Sequence, residues 1–178
     1  MLLTQIAALD EALERHRATI GADFTGYRNH CYRMANFCAA LSSRDDSTLR
    51  KIGIAAAYHD IAIWTHGTWD YLPPSIDLMR SEQQWQLDIA DIEQIAAMIL
   101  EHHKISSYRG EHGALVEAFR KADLVDVSLG LLRMGLPRAF VAEVRAQYPN
   151  HGFHAGLLKQ TGKRLLTDPL NPMPMMRR

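Results

Sequence analysis

The stretch Ile52-Gly53-Ile54-Ala55-Ala56-Ala57-Tyr58-His59-Asp60 decides the fold. Its first seven residues would cover nearly the whole circumference of a helix with apolar side chains, which predicts a buried helix. His59 and Asp60 then place an imidazole and a carboxylate side by side at the end of that helix, where burial costs free energy unless a partner compensates both groups. A divalent cation is a partner that binds both residue types at once.

The composition is that of one soluble globular domain. The chain has 178 residues, 47% of them hydrophobic, and is long enough to bury a core of its own. Its 20 basic and 20 acidic side chains balance, so no overall field favours a nucleic-acid polymer or an anionic membrane. Charged residues interrupt segment 1–17, which predicts an amphipathic helix rather than a signal peptide. Because no apolar run approaches membrane-spanning length, we expect a cytoplasmic protein.

Helical periodicity dominates the sequence, and no alternating strand of useful length is evident. We therefore predict a single all-α domain of seven or eight helices over residues 1–167. The prolines of segment 168–178 stop a helix, so an irregular tail is expected there. An aromatic- and proline-rich loop is expected at residues 64–74. The helices are predicted near residues 3–19, 26–41, 47–63, 75–87, 90–104, 112–133, 137–147 and 152–166.

A histidine interrupts the apolar face of the second predicted helix. His30 lies three residues after Tyr27 and four before Met34, on the face that these residues direct to the core. A metal ligand is one interpretation, and a core histidine bonded to one backbone group is the alternative. Arg33, on the flank of the same face, is either a surface cation or a contact for an anion.

A carboxylate interrupts a later helix in the same way. Asp123 falls where the apolar stripe of Val116, Phe119 and Val127 would take a fourth apolar residue. A buried carboxylate needs a cation, a metal or several hydrogen-bond donors, so a salt bridge or a capping contact is the alternative to metal binding. Asp126 can also face inward, as a rival ligand or as a supporting partner.

Two adjacent histidines close another predicted helix. His102 continues the apolar stripe of Ile95 and Ile99, whereas His103 follows a neighbouring row. Adjacent residues on a helix diverge by about 100°, so we do not expect both to serve one small site equally. The alternative for one of them is a histidine that the helix dipole favours at a C-terminus.

The four interruptions together, His30, His59, Asp60 and Asp123, form a donor set of imidazoles and carboxylates. Such a set suits one divalent ion of Mn, Fe, Co, Ni, Zn or Mg. Helices that pack against one another can present these ligands from facing walls into the interior of a bundle. The absence of thiolates from the set argues against a structural zinc site and favours a catalytic one with open coordination positions.

The ordered set of His30, the pair His59-Asp60 and Asp123 on successive helices resembles the HD-domain superfamily of metal-dependent phosphohydrolases. The resemblance spans roughly residues 24–130. Segment 55–61 looks like the dyad helix of that family, and Lys121-Ala122-Asp123 looks like its final-ligand helix. The resemblance implies an HD-type helical bundle whose four residues bind one divalent metal. It also implies hydrolysis of a phosphate mono- or diester, for example of a nucleotide, by metal-activated water.

The resemblance also assigns expected roles around the metal. Family members with two metals carry further histidines between the dyad and the final Asp, and this chain offers only His66 and the pair His102-His103 there. One metal is therefore expected, with His102 or His103 as a substrate or acid/base contact. Some relatives place a catalytic Glu shortly after the dyad; here Asp70 is the nearest acid that can substitute.

Three cations are candidate contacts for the phosphoryl oxygens, and solvated surface charges are the alternative for each: Arg33, Lys104 and Arg109. In the loop after the dyad, Trp69 or Tyr71 either stacks on a nucleobase or anchors the loop to the core. The expected partner is a small phosphorylated substrate, such as a nucleotide, and self-association stays open. Two rival functions remain: an HD-type iron-dependent oxygenase, which needs two metals, and a nucleotide-binding module without turnover.

Overall fold

A computed structural model describes residues 1–82, 85–171 and 173–177. These residues contain no strand, and eight of their helices have ten residues or more, so the all-α prediction is confirmed. A four-residue helix, α4, and short 3-10 turns at Gly21–Asp23 and Pro174–Arg177 complete the described elements. The helices are α1 (Ala7–Ile20), α2 (Phe24–Leu41), α3 (Asp46–Tyr58), α4 (Ala62–Thr65), α5 (Leu72–Ser81), α6 (Ile89–Glu101), α7 (Gly113–Val127), α8 (Arg138–Gln147) and α9 (Phe153–Thr167).

The predicted helix at 47–63 is wrong at its C-terminal end, because α3 stops at Tyr58 and a turn separates it from α4. In a continuing helix the Ala56 carbonyl would accept from the Asp60 amide. Here that carbonyl accepts instead from His59 Nδ1 at 2.8 Å. The Asp60 amide meets the Tyr27 hydroxyl at 3.4 Å. The helix therefore ends where the His59 side chain takes the Ala56 carbonyl as its acceptor. This turn fixes the orientation of both His59 and Asp60.

Three other predicted boundaries are also wrong. The loop expected at 64–74 is shorter, since α5 begins at Leu72 with two prolines in its first turn, where a missing amide hydrogen costs little. That helix ends at Ser81 rather than 87; residues 83 and 84 of the predicted span lie outside the described part. The helix predicted to reach 133 ends at Val127, because the Gly130 amide bonds back to the Val125 carbonyl at 2.8 Å in a left-handed C-terminal cap.

The segment expected to be an irregular tail contains a packed element. Residues 174–177 form a 3-10 turn, and Met175 is buried against the small apolar cluster that includes Ile63, Tyr71 and Leu72. The end of the described chain therefore packs beside the loop that follows α4. Residues 172 and 178 of the predicted tail lie outside the described part.

Four helices close a ring around the centre of the domain. Helix α2 packs against α3 and α7, and α6 packs against the same two helices on the other side. Nearly every residue of α2 from Phe24 to Ala39 is buried, which places His30 in the middle of the ring. Asp45 and Asp88 accept the Thr48 and Asp91 amides and so fix the first turns of α3 and α6. Among the described residues, no helix combines the length with the apolar character that crossing a membrane requires.

Candidate metal centre

The ring of helices directs two buried imidazoles toward one point, where His30 Nε2 lies 2.9 Å from His59 Nε2. The other nitrogen of each ring already has a partner. His30 Nδ1 lies 2.6 Å from Asp126 Oδ2, and His59 Nδ1 lies 2.8 Å from the Ala56 carbonyl oxygen. A carbonyl and an ionised carboxylate can only accept, so each Nδ1 carries a hydrogen and donates it.

Each Nε2 atom consequently carries a lone pair and no hydrogen, and the two atoms face each other. Two acceptors at this distance make no hydrogen bond and need a cation between or beside them. Burial lowers the pKa of His30 to about 4, so a proton on His30 does not supply that charge at neutral pH. Two nitrogens at right angles, each about 2.1 Å from a divalent ion, would lie about 3 Å apart, close to the separation of the pair. The His30–His59 pair thus fits a metal ion.

Asp60 extends this pair toward α6. Its Oδ2 lies 3.3 Å from His59 Nε2, and its Oδ1 lies 3.6 Å from His102 Nε2. His102 Nδ1 donates to the Ile99 carbonyl at 2.7 Å, so its Nε2 is also bare. Within the described part of the chain, Asp60 Oδ1 and His102 Nε2 are buried atoms without a hydrogen-bond partner. Orphaned polar atoms are costly in a core, and a shared cation removes that cost.

The described residues contain two groups whose potential ligand atoms lie within 4.8 Å of one another. One group is His30, His59 and Asp60, and the other is Asp60, His102 and His103. Asp60 belongs to both. These buried groups can hold a metal ion, and their mixture of imidazole and carboxylate suits a borderline or hard divalent ion.

Asp123 reaches the same centre from α7 without belonging to either group. Its Oδ1 lies 3.9 Å from His30 Nε2, and its Oδ2 lies 3.8 Å from His103 Nδ1. Burial raises the pKa of Asp123 to about 7, and the negative charges of Asp60 and Asp126 add to the effect. A cation bound at this point would keep the carboxylate ionised. The structure therefore brings all four sequence-predicted ligands to one place.

Arg33 is placed differently from the sequence expectation of a surface cation or substrate contact. The side chain is 1% exposed; its Nη2 donates to Asp126 Oδ2 at 2.8 Å, and its Nη1 donates to the Tyr148 carbonyl at 2.9 Å. Burial opposes ionisation of Asp126, but hydrogen bonds from His30 and Arg33 outweigh it and hold the pKa of Asp126 below its usual value. Arg33 thus keeps Asp126 charged, and Asp126 fixes the His30 tautomer.

The structure brings both His102 and His103 to the site, contrary to the expectation that their directions would diverge. Helix α6 ends at Glu101, so the two histidines lie in the turn that follows rather than on the helix surface. His103 Nε2 lies 2.6 Å from the Tyr71 hydroxyl. Burial raises the pKa of Tyr71 and lowers the pKa of His103, so the phenol and the imidazole are both neutral. Tyr71 is 3% exposed and packs against the core rather than lying open for stacking.

Of the remaining predicted residues, Lys104 lies next to the centre and two others do not. A cavity of about 440 Å³ adjoins His102, His103 and Asp123, and Lys104 forms part of its wall. Arg109 is exposed in the loop between α6 and α7 and is not among the lining residues of this cavity. Asp70 is exposed in the loop before α5, whereas the ligand groups are buried, so a catalytic role at this centre does not fit its position.

Neither protein-family models, nor curated proteins, nor solved structures gave a match to this chain. The function must therefore be inferred from the geometry of the metal centre and of the cavity beside it.

Proposed function

We propose that the protein is a metal-dependent phosphohydrolase that cleaves a phosphate mono- or diester. The observation that carries the proposal is the pair of bare Nε2 atoms of His30 and His59, 2.9 Å apart, beside the orphaned Asp60 Oδ1. These atoms would hold one divalent ion together with Asp123. A divalent ion in such a site supplies a water of lowered pKa and a Lewis acid for a phosphoryl oxygen.

The chain itself supplies positioning and hydrogen-bond donors. Phosphoryl transfer depends on positioning and on neutralising charge more than on covalent catalysis. Lys104 borders the cavity, where its ammonium group can pair with the non-bridging oxygens. Burial keeps the Tyr71 hydroxyl protonated, and where it donates to His103 Nε2, His103 Nδ1 carries a hydrogen toward Asp123. That N–H group can donate a hydrogen bond to the leaving oxygen of the ester, which takes its proton from the attacking water.

The test is phosphate release from nucleotides and small phosphate esters after chelation and addition of Mn, Co, Ni or Mg. We expect release that depends on added metal, that Asp60→Ala abolishes, and that the matched variant Asp77→Ala leaves unchanged, because Asp77 is exposed on α5. Phosphate release that persists in Asp60→Ala, or that does not depend on added metal, would refute the proposal.

A second candidate is a two-metal HD-type oxygenase, and one observation favours it. If the bond between His103 and Tyr71 runs in the opposite direction, His103 Nε2 donates and its Nδ1 becomes bare beside Asp60 and His102. The second ligand group would then hold a second ion. Counting the iron bound per chain separates the candidates: one ion favours the phosphohydrolase, and two ions with oxygen consumption favour the oxygenase.

A further inference from the structure

The cavity beside the metal centre has an aliphatic wall. Five of its ten lining residues are aliphatic or thioether side chains. They come from three separate parts of the chain: the segment after α6, the C-terminal half of α7 with the loop that follows it, and the 3-10 turn at 174–177. These residues are Ile105, Leu124, Val127, Leu132 and Met176.

Aromatic side chains near the site are engaged elsewhere. Trp64 packs against Tyr27 with ring centroids 4.6 Å apart and donates to Asp23. Tyr71 bonds to His103, and Trp69 packs on the small apolar cluster around it. None of the described residues that line the cavity carries an aromatic ring other than imidazole. A nucleobase would therefore find no phenyl, phenol or indole face on which to stack.

The two cationic residues of the cavity wall differ in how far they are already engaged. Arg120 lines it, but its guanidinium donates twice to Glu117, at 2.8 Å each, and once to the Lys104 carbonyl. Lys104 Nζ has a looser contact, 3.6 Å from Glu101 Oε2, and the Lys104 side chain is 34% exposed. The cavity wall thus combines the Lys104 ammonium group, two histidines and Asp123 with five apolar side chains.

We infer that the substrate is a phosphate monoester of an aliphatic alcohol, with its phosphate at the metal centre and its alkyl chain along Leu124, Val127 and Leu132. This inference rests on the proposed function. In the reaction, water attacks phosphorus and the bond between phosphorus and the alkyl oxygen breaks. That oxygen takes a proton released by the attacking water and leaves as the alcohol. The other product is inorganic phosphate. A volume of about 440 Å³ holds a chain of several carbons.

The test compares methyl, butyl and hexyl phosphate with adenosine monophosphate on the manganese-loaded protein. Each methylene that leaves water should raise kcat/KM about two- to fourfold, so hexyl phosphate should exceed methyl phosphate by about 30-fold or more. Leu132→Asn should reduce the hexyl-to-methyl ratio of kcat/KM roughly three- to tenfold. Leu131→Asn is the matched control, since Leu131 is 85% exposed and does not line the cavity.

Calorimetric binding of methyl- and hexylphosphonate, which cannot be hydrolysed, separates the two proposals. Tighter binding of the hexyl compound that Leu132→Asn weakens, without hydrolysis of any ester, would support the ligand class and refute the phosphohydrolase. A flat chain-length series, a preference for adenosine monophosphate, or equal effects of the Leu131 and Leu132 substitutions would overturn the inference. Loss of a dimer in Leu132→Asn with an unchanged hexyl-to-methyl ratio would overturn it too.

Discussion

Arg33 and Asp126 form a buried ion pair. Substitutions at the two positions should be strongly non-additive in their effect on the free energy of unfolding. The two side chains are 1% and 0% exposed, and Asp126 also accepts from His30. Removing one member of a buried pair leaves an uncompensated charge, which costs about 3–5 kcal/mol. We therefore expect Arg33→Met or Asp126→Asn alone to lower the Tm by roughly 6–20 °C. The double variant should be more stable than the sum of the single losses predicts, by about 2 kcal/mol or more.

Urea denaturation followed by circular dichroism measures this cycle, with a chelator present in all samples so that lost metal does not contribute. Arg80 and Glu93 provide the matched control, because they also form a two-bond pair, at 2.8 and 2.9 Å, but their side chains are 43% and 52% exposed. The coupling free energy between Arg80 and Glu93 should stay below about 1 kcal/mol. Additive losses at Arg33 and Asp126, or equal coupling in both pairs, would refute the assignment of Arg33 to a buried positioning network.

Two further predictions concern the metal-free site and the packing of α3. Burial raises the pKa of Asp123 from 3.8 to about 7. Between pH 3.8 and about pH 7 the folded state therefore keeps a proton that the unfolded state has lost, and the free energy of unfolding falls as pH rises through that window. Asp123→Asn should accordingly stabilise the chelated protein by roughly 4 kcal/mol at pH 8, an advantage that fades toward pH 4 in thermal melts; an advantage that grows on acidification would contradict the argument. A Cβ at Gly53 would lie 2.8 Å from Ile6 Cγ2 and 3.1 Å from the Leu9 amide nitrogen. Gly53→Ala should therefore destabilise by about 1–3 kcal/mol. The control Gly156→Ala, in a helix with open space around it, should instead stabilise by about 0.5–1 kcal/mol, and equal denaturation midpoints for these two variants would refute the packing argument.

The sequence marked the four candidate ligands because they break a pattern. His30 and Asp123 stand on apolar helical faces, and His59-Asp60 follows an all-apolar run, so periodicity alone marks them as buried polar groups. The same reasoning located the helices to within a few residues in most cases. It failed where a side chain captures a backbone group, as His59 does with the Ala56 carbonyl, because helix propensity contains no information about such a contact.

The supporting residues were harder to predict because their roles depend on partners far along the chain. Arg33 contacts Asp126 and the Tyr148 carbonyl, more than 90 residues away, and nothing in its local pattern distinguishes it from a surface cation. Tyr71 meets His103 from a loop, where no periodicity operates. His154, whose Nε2 lies 3.6 Å from Asp126 Oδ2, was not predicted and lies at the start of a helix that is mostly exposed. Sequence patterns thus predict burial, but pairing requires the tertiary structure.

Metal bound per chain is the measurement that tests the central claim most directly. The chelated protein would be reconstituted with manganese, passed through a desalting column and analysed by elemental mass spectrometry, in parallel with Asp60→Asn and the exposed-site control Asp77→Asn. We predict one ion per chain in the wild-type protein and in Asp77→Asn, and loss of the ion in Asp60→Asn, which retains the shape of the side chain but removes its charge. A wild-type protein that retains no ion, or an Asp60→Asn variant that retains it fully, would contradict the assignment of the buried cluster as a metal centre.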